Sequence, residues 1–92
     1  MEIKHQEQNE EFIFTENESG GTLKYQKIEP EVLEYTSTFV DPEIRGKGYG
    51  KKLVKFALDY AEENNFKIIP TCRMVKTYIS RYPEYQKLVT KK

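Results

Sequence analysis

The run from Val40 to Leu58, V-D-P-E-I-R-G-K-G-Y-G-K-K-L-V-K-F-A-L, constrains this chain more than any other stretch. It joins the end of a strand-like segment to the start of an amphipathic helix, and Gly46, Gly48 and Gly50 alternate through the join. Glycine has no Cβ, so the backbone can turn sharply there and come close to a ligand. The first N–H groups of the following helix have no intrahelical partner, and the positive end of the helix dipole falls at the same point. Phosphate binds well at such a place. Arg45, Lys47, Lys51, Lys52 and Lys55 add cations, with no acid between Arg45 and Lys55. Two phosphate cradles are excluded by spacing. Counted from Gly46, a P-loop and a dinucleotide fingerprint both require glycine at position 51, and that residue is Lys51. The pattern that remains is Arg45-x-x-Gly48-x-Gly50. A glycine-rich turn ahead of a solvated basic helix is the plain alternative.

Length and composition set the frame. With 92 residues the chain reads as one domain over 1–92, with apolar residues enough for one modest core and no need of metal or disulfide staples. Its single cysteine, Cys72, excludes an intrachain disulfide and fits a reducing compartment. The first ten residues are polar with no signal-peptide core, and no apolar run approaches membrane-spanning length, so a cytoplasmic location without membrane contact is expected. The net charge of zero hides an asymmetry. Residues 1–44 carry eleven acids and three bases, whereas residues 45–92 carry twelve bases and four acids. An acidic half beside a basic half can steer an anionic cofactor to one side and a cationic substrate to the other, or the two can simply neutralise each other. Balanced charge and acidic strands argue against nucleic acid as a partner.

The N-terminal half reads as an antiparallel meander. Ile3 and His5 share a face of a short first strand, Phe12, Ile13 and Phe14 mark a second, and Asn17-Glu18-Ser19-Gly20-Gly21 is a hairpin turn. Leu23, Tyr25 and Ile28 follow in a third strand that stops at Pro30. In residues 32–40, Leu33, Tyr35, Ser37 and Phe39 alternate on one face, and Val32, Glu34, Thr36, Thr38 and Val40 take the other. A helix from about Gly48 to Asn64 carries Leu53, Val54, Ala57, Leu58 and Ala61 along one stripe. Phe66 to Ile69 is a strand closed by Pro70. Strand, helix and strand in that order imply a parallel pair with a right-handed crossover. Both strands then end at one edge of the sheet, which brings the glycine loop after Val40 towards Pro70-Thr71-Cys72. Cys72 stands at the start of a last helix, with Thr71 as its cap. A thiol there gains nucleophilicity, or serves as a small buried hydrophobe.

Arg45-x-x-Gly48-x-Gly50 resembles the coenzyme A pyrophosphate loop of the GCN5-related N-acetyltransferase (GNAT) superfamily. I-I-P-T-C, Tyr78, R-Y-P-E-Y and Leu88 extend the likeness to the small single-domain GNAT-like proteins, most specifically over residues 39–88. The resemblance implies an α+β fold: a twisted, mostly antiparallel sheet with one parallel strand pair and flanking helices. It implies acetyl-CoA as cofactor, held by Arg45, Gly46, Lys47, Gly48, Tyr49, Gly50 and Lys51, with Phe39 and Val40 offering backbone groups to the pantetheine arm. It places Cys72 near the thioester. Tyr78 would donate a proton to the leaving thiolate, as tyrosines do in larger GNATs, or pack under the last helix.

The chain departs from its relatives at two places. Tyr82 and Ser37 stand where relatives can carry histidine, and the only histidine, His5, lies in the first strand. Glu34, Glu43 through a water, or no dedicated base are the alternatives. The expected activity is acetyl transfer to an amine by direct attack in a ternary complex, with a Cys72 relay as a variant. The acceptor is a small molecule or a protein lysine, and the acidic half suggests a cationic one such as lysine or a polyamine. The second reading is a coenzyme A-binding sensor or interaction module without turnover. A monomer is expected.

Overall fold

The computed structural model describes residues 2–90. Five strands lie in the order in which they occur in the chain: β1 (Glu2–Gln6), β2 (Glu11–Glu16), β3 (Ser19–Glu29), β4 (Val32–Val40) and β5 (Lys67–Pro70). The first four are antiparallel neighbours, and β5 runs parallel to β4. Helix α1 (Tyr49–Glu63) makes the crossover, and α2 (Arg73–Arg81) leads into a 3-10 segment, Pro83–Leu88. This is the expected α+β sheet with one parallel pair and flanking helices. None of the helices among the described residues is long and apolar enough to cross a membrane.

The α1 stripe is what holds the layers together. Leu53, Val54, Ala57, Leu58 and Ala61 are all fully buried, and they share one core with Phe12, Leu23, Leu33, Tyr35 and Ile68 of the sheet. Burying each of the larger side chains contributes about 1.5–3 kcal/mol. Tyr35 adds a directed contact, since its Oη donates to the Ala57 carbonyl at 2.6 Å. Val75 and Ile79 bring α2 onto the same core, and Tyr85 and Leu88 close its end. Tyr85 Oη donates to Asp59 Oδ1 at 2.7 Å.

Local details differ from the sequence pattern, each for an identifiable reason. The β2–β3 hairpin turns on Asn17 and Glu18 alone, both with positive φ (51° and 70°), the requirement of a two-residue primed turn. Ser19, Gly20 and Gly21 therefore belong to β3 rather than to the turn. Gly21 is needed there for space: a Cβ would come within 2.7 Å of both the Phe14 ring and the Phe39 carbonyl. Ile28 lies past Tyr25 in the irregular end of β3 and is exposed. Thr71 does not cap α2. Cys72 holds the N-cap position, and the Thr71 hydroxyl donates to Glu34 Oε2 at 2.5 Å. Pro70 is the last residue of β5, not a stop beyond it.

The most consequential difference lies in β4. Tyr25 pairs with Tyr35, but Lys24 pairs with Ser37, so Thr36 is an extra residue on β4. A bulge of this kind reverses which residues face the core. Before it, Leu33 and Tyr35 point inward; after it, Val40 is buried, Thr38 is half-buried, and Ser37 and Phe39 face outward. The single alternation expected for Leu33, Tyr35, Ser37 and Phe39 therefore breaks at Thr36.

His5 sits in an aromatic cluster rather than near the glycine loop. It stacks on Phe12 at 4.5 Å, meets Tyr60 edge-on at 4.5 Å, and shares a 2.5 Å hydrogen bond with Tyr25 Oη. Burial lowers its pKa, and nearby Glu7 opposes the shift only in part. Because the native value is depressed, the unfolded chain takes up the proton first as pH falls. The stabilisation is thus complete above the unfolded value near 6.5 and is lost as pH drops through the lowered native value. The wild-type melting temperature should fall between about pH 7.5 and 5.5 by more than that of His5→Gln. Equal falls in calorimetric melts would show that His5 does not carry this pH dependence.

Candidate functional site

The bulge at Thr36 opens the site. Pairing of β4 with β5 ends at Tyr35↔Pro70. Pro70 has no N–H with which to extend the ladder. The Tyr35 carbonyl accepts instead from the Cys72 N–H at 2.9 Å, so the chain turns from β5 into α2 beside the free edge of β4. A cleft of about 530 Å³ lies there, lined by Thr36, Ser37, Thr38, Thr71, Cys72 and Arg73, with Met74 and Thr77 from α2. Its lining is rich in hydroxyls and carries one cation. Cys72 is almost wholly buried, and its Sγ lies 3.2 Å from Thr38 Oγ1.

The glycine loop forms a second cavity that adjoins the first. It measures about 390 Å³ and is lined by Thr38, Val40, Ile44, Arg45, Gly46, Tyr49, Gly50 and Met74. Thr38 and Met74 line both cavities. Gly46 and Gly48 have φ of 84° and 87°, and a Cβ on either would meet nothing within 4 Å. Conformation, not crowding within the protein, therefore demands glycine at these two positions. Gly50 differs: a Cβ there would lie 2.9 Å from the Met74 sulfur. Gly48 is the N-cap of α1, no side chain caps the helix, and its first turn contains no acid. The leading amide N–H groups of α1 thus stay available to an anion.

The loop side chains divide into engaged and free. Arg45 folds back, its Nε donating to the Val40 carbonyl at 2.7 Å and its guanidinium lying 5.2 Å from the centre of the Phe39 ring. Phe39 is accordingly an exposed outer-face ring, and the Val40 carbonyl already has a donor. Tyr49 packs on Phe14 at 5.3 Å, and Lys52 lies over its ring at 5.8 Å. Lys47 and Lys51 are exposed and make no ion pair among the described residues. Lys55 is bound to Asp59 at 2.8 Å one turn further along the helix.

Tyr78 lies apart from Cys72. It lines a third, smaller cavity of about 150 Å³ between α1 and α2, together with Lys51, Met74, Thr77, Arg81 and Tyr82. Its ring packs on Tyr82 at 4.6 Å and on Tyr85 at 5.9 Å. Burial raises its pKa, with Lys55 opposing the shift. The α2 hydroxyl that lines the Cys72 cleft is that of Thr77, one residue earlier. Glu34 reaches the cleft only through its bond to Thr71. Glu43 is exposed on the 3-10 turn Pro42–Ile44 and lines none of the three cavities. Met74, which lines all three, carries no motif signal, and neither does Thr38.

Residues 11–88 match the model of a family described as GCN5-related N-acetyl-transferase. The chain belongs to this family. Protein NATD1 of Mus musculus is 28% identical over 85 residues, which cover 90% of this chain and 77% of the relative. Protein NATD1 of Homo sapiens is 27% identical over 85 residues, covering 90% of this chain and 75% of the relative. The NMR solution structure of a GCN5-like candidate N-acetyltransferase from Staphylococcus aureus superposes with a TM-score of 0.73 at 29% identity, covering 97% of this chain and 87% of that one. The GCN5-related resemblance of the sequence is thereby borne out, and so is the fold it implied.

In this GCN5-related chain Cys72 lines the cleft between β4 and α2. A ligand that fills the cleft should therefore shield the sulfur. Iodoacetamide should alkylate Cys72 near neutral pH at least about tenfold more slowly in saturating acetyl-CoA than without it, as read by intact mass. Equal rates would take the sulfur out of the ligand's reach.

Proposed function

We propose that this chain is an acetyl-CoA-dependent N-acetyltransferase that acts on an amine by direct attack in a ternary complex. The observation that carries the reading is a pair of neighbouring cavities that share Thr38 and Met74 in their walls. One is lined by Gly46, which has positive φ, and by Tyr49 and Gly50 at an uncapped helix N-terminus, and the other lies where a parallel strand pair parts. Acetyl-CoA fits the pair. Its pyrophosphate needs N–H donors and close backbone approach, which Gly46, Gly48, Tyr49, Gly50 and Lys51 offer, and its arm needs an unpaired strand edge, which β4 offers beyond Tyr35. Arg45 and Lys47 add positive charge at the loop, Val40 lines the loop cavity, and Phe39 lies under the Arg45 guanidinium. When bound, acetyl-CoA supplies an acyl group activated as a thioester.

The chain's own residues then position the reactants. Thr36, Ser37, Thr38 and Thr71 offer hydroxyls to an acceptor amine. Backbone N–H groups stabilise the developing oxyanion in such a transfer. Holding two reactants in a near-attack geometry removes about 7–11 kcal/mol of barrier. Cys72 is read as a contact rather than an obligatory nucleophile: its sulfur faces Thr38, and no histidine or carboxylate lines its cleft to take the proton. Tyr78 acts as a proton donor only if the thiolate reaches the neighbouring cavity. The acceptor amine is left open between a small molecule and a protein lysine.

One observation favours the second reading, a coenzyme A-binding module without turnover: among the described residues, no group lining the cleft is an evident general base. Steady release of free coenzyme A from acetyl-CoA with added amines separates the two readings. Cys72→Ser should keep acetyl-CoA affinity within about twofold, and any transfer rate should survive in part. A transfer abolished together with a captured acetyl-Cys72 would establish the relay instead.

The cofactor assignment has its own test. A β-branched residue cannot adopt the φ of 87° at Gly48 without strain, and its side chain would occupy the open space above the loop. Gly48→Val should weaken acetyl-CoA by more than tenfold, or about 1.4 kcal/mol, while circular dichroism stays native. Unchanged affinity by calorimetry in a folded variant would refute the loop as the binding site.

A further inference from the structure

The cleft between β4 and α2 has a polarity that acetyl transfer by itself does not call for. Its volume of about 530 Å³ is lined by five hydroxyls, the Cys72 thiol, the Met74 thioether and one guanidinium, that of Arg73. This is the size of a small-molecule site, roughly 300–1,000 Å³. No carboxylate lines it among the described residues. Glu34 approaches only as the acceptor of the Thr71 hydroxyl. Arg73 is exposed and makes no ion pair or side-chain hydrogen bond among the described residues. The hydroxyls divide by where their protons already go. Thr36 donates to the Lys24 carbonyl and Thr71 to Glu34, so each can only accept a further bond. Ser37 and Thr77 make no side-chain hydrogen bond among the described residues and can still donate. An amine N–H needs partners of the first kind. A carboxylate needs partners of the second kind, and the planar guanidinium fork is its best match. A diamine would meet no acid in this lining and one repelling charge.

We propose that the acceptor is a small amine that carries a carboxylate, an amino acid or a close analogue, with Arg73 holding the carboxylate while Thr36 and Thr71 accept from the amine. The inference rests on the acetyl-CoA reading and deepens it by naming the acceptor's class. Arg73 becomes the residue that sets specificity, and the cationic acceptor suggested by the acidic half of the sequence is replaced by an anionic or zwitterionic one. In the transfer, the amine nitrogen forms a C–N bond to the acetyl carbon as the C–S bond breaks. The proton lost by nitrogen ends on the coenzyme A thiolate, and the carboxylate takes no part in the bond changes.

Acceptors that differ only in the carboxylate test it: L-lysine against cadaverine and L-ornithine against putrescine, with a lysine peptide blocked at both ends as a third arm. Release of coenzyme A from saturating acetyl-CoA by the full chain should show a kcat/KM at least about tenfold higher for the amino acid of each pair. Arg73→Gln, at an exposed position outside the core, should bring that ratio to within about twofold of unity, and Arg73→Glu should turn it towards the diamine. Acetyl-CoA affinity by calorimetry should stay within about twofold in both variants, because Arg73 does not line the loop cavity. Equal wild-type rates within each pair, or a preference that survives Arg73→Gln, overturn the inference. So does a loss of acetyl-CoA affinity in Arg73→Gln, which would assign the guanidinium to the cofactor. Release with the diamines alone or the peptide alone overturns the inference and leaves acetyl transfer standing, whereas no release with any acceptor overturns both.

Discussion

The sheet depends on what happens at Tyr35. Its side chain is fully buried and ties the sheet to α1 through the Ala57 carbonyl. Its backbone carbonyl accepts from Cys72 and not from another residue of β5. One residue later, Thr36 is extruded into a bulge, with its hydroxyl on the Lys24 carbonyl at 3.1 Å. These contacts end the parallel pairing, fix where α2 starts and reverse the facing of the last residues of β4. A bulge costs ladder bonds, so it persists where something else satisfies the strand. Here the start of α2 satisfies Tyr35, and the unpaired edge beyond it becomes the wall of a cleft. Fold and site are thus consequences of one interruption in one strand.

Much of this was legible in the sequence because the relevant signals are local and strong. The α1 stripe is a helical repeat of five apolar residues, all of them found buried. The strand–helix–strand order admits few topologies, and the glycines at 46 and 48 announce backbone conformations that other residues resist. The phase of β4 was not legible. An alternation over residues 32–40 is consistent with an unbroken strand, and the extra residue at Thr36 shows only in the register against β3. Nor did Gly20 and Gly21 reveal their use. Glycine serves turns and close approaches alike, and the Phe14 ring that Gly21 accommodates lies on another strand. Met74 was invisible for a different reason: an exposed methionine on a helix has no motif, and its importance comes only from the three cavities that meet on it.

The charge asymmetry between the two halves also changes meaning in three dimensions. Part of the basic surplus is neutralised locally, by Lys55 on Asp59 and by Lys87 on Glu62 at 2.6 Å. Arg45 is folded onto Phe39 and Val40. Among the described residues, the cations without an ion pair near the cavities are Lys47 and Lys51 at the loop, Arg73 in the cleft and Arg81 on α2. The acids of the first half do not line the cleft, where the one cation is Arg73. The expectation that the acidic half would recruit a cationic amine to this cleft therefore gains nothing from the geometry.

The missing base weighs less against catalysis than it first suggests. General-base assistance is worth about 10²–10⁴-fold, or roughly 3–5 kcal/mol. Positioning two reactants is worth about 7–11 kcal/mol. On the acetyltransfer reading, a cleft of hydroxyls beside a pre-parted strand edge therefore keeps the stronger of these two effects and forgoes the weaker. Such an enzyme would depend on an amine that arrives neutral, and its rate would rise with pH along the acceptor's own titration instead of a side chain's. This behaviour matches a site whose polar lining, apart from Arg73 and Cys72, consists of hydroxyl groups that do not change charge near neutral pH. The small size of the chain is consistent with the same simplicity. A bulge, an uncapped helix and one flexible methionine between cavities are enough to shape a binding groove, whereas a tuned acid–base pair needs a second layer of side chains to hold it.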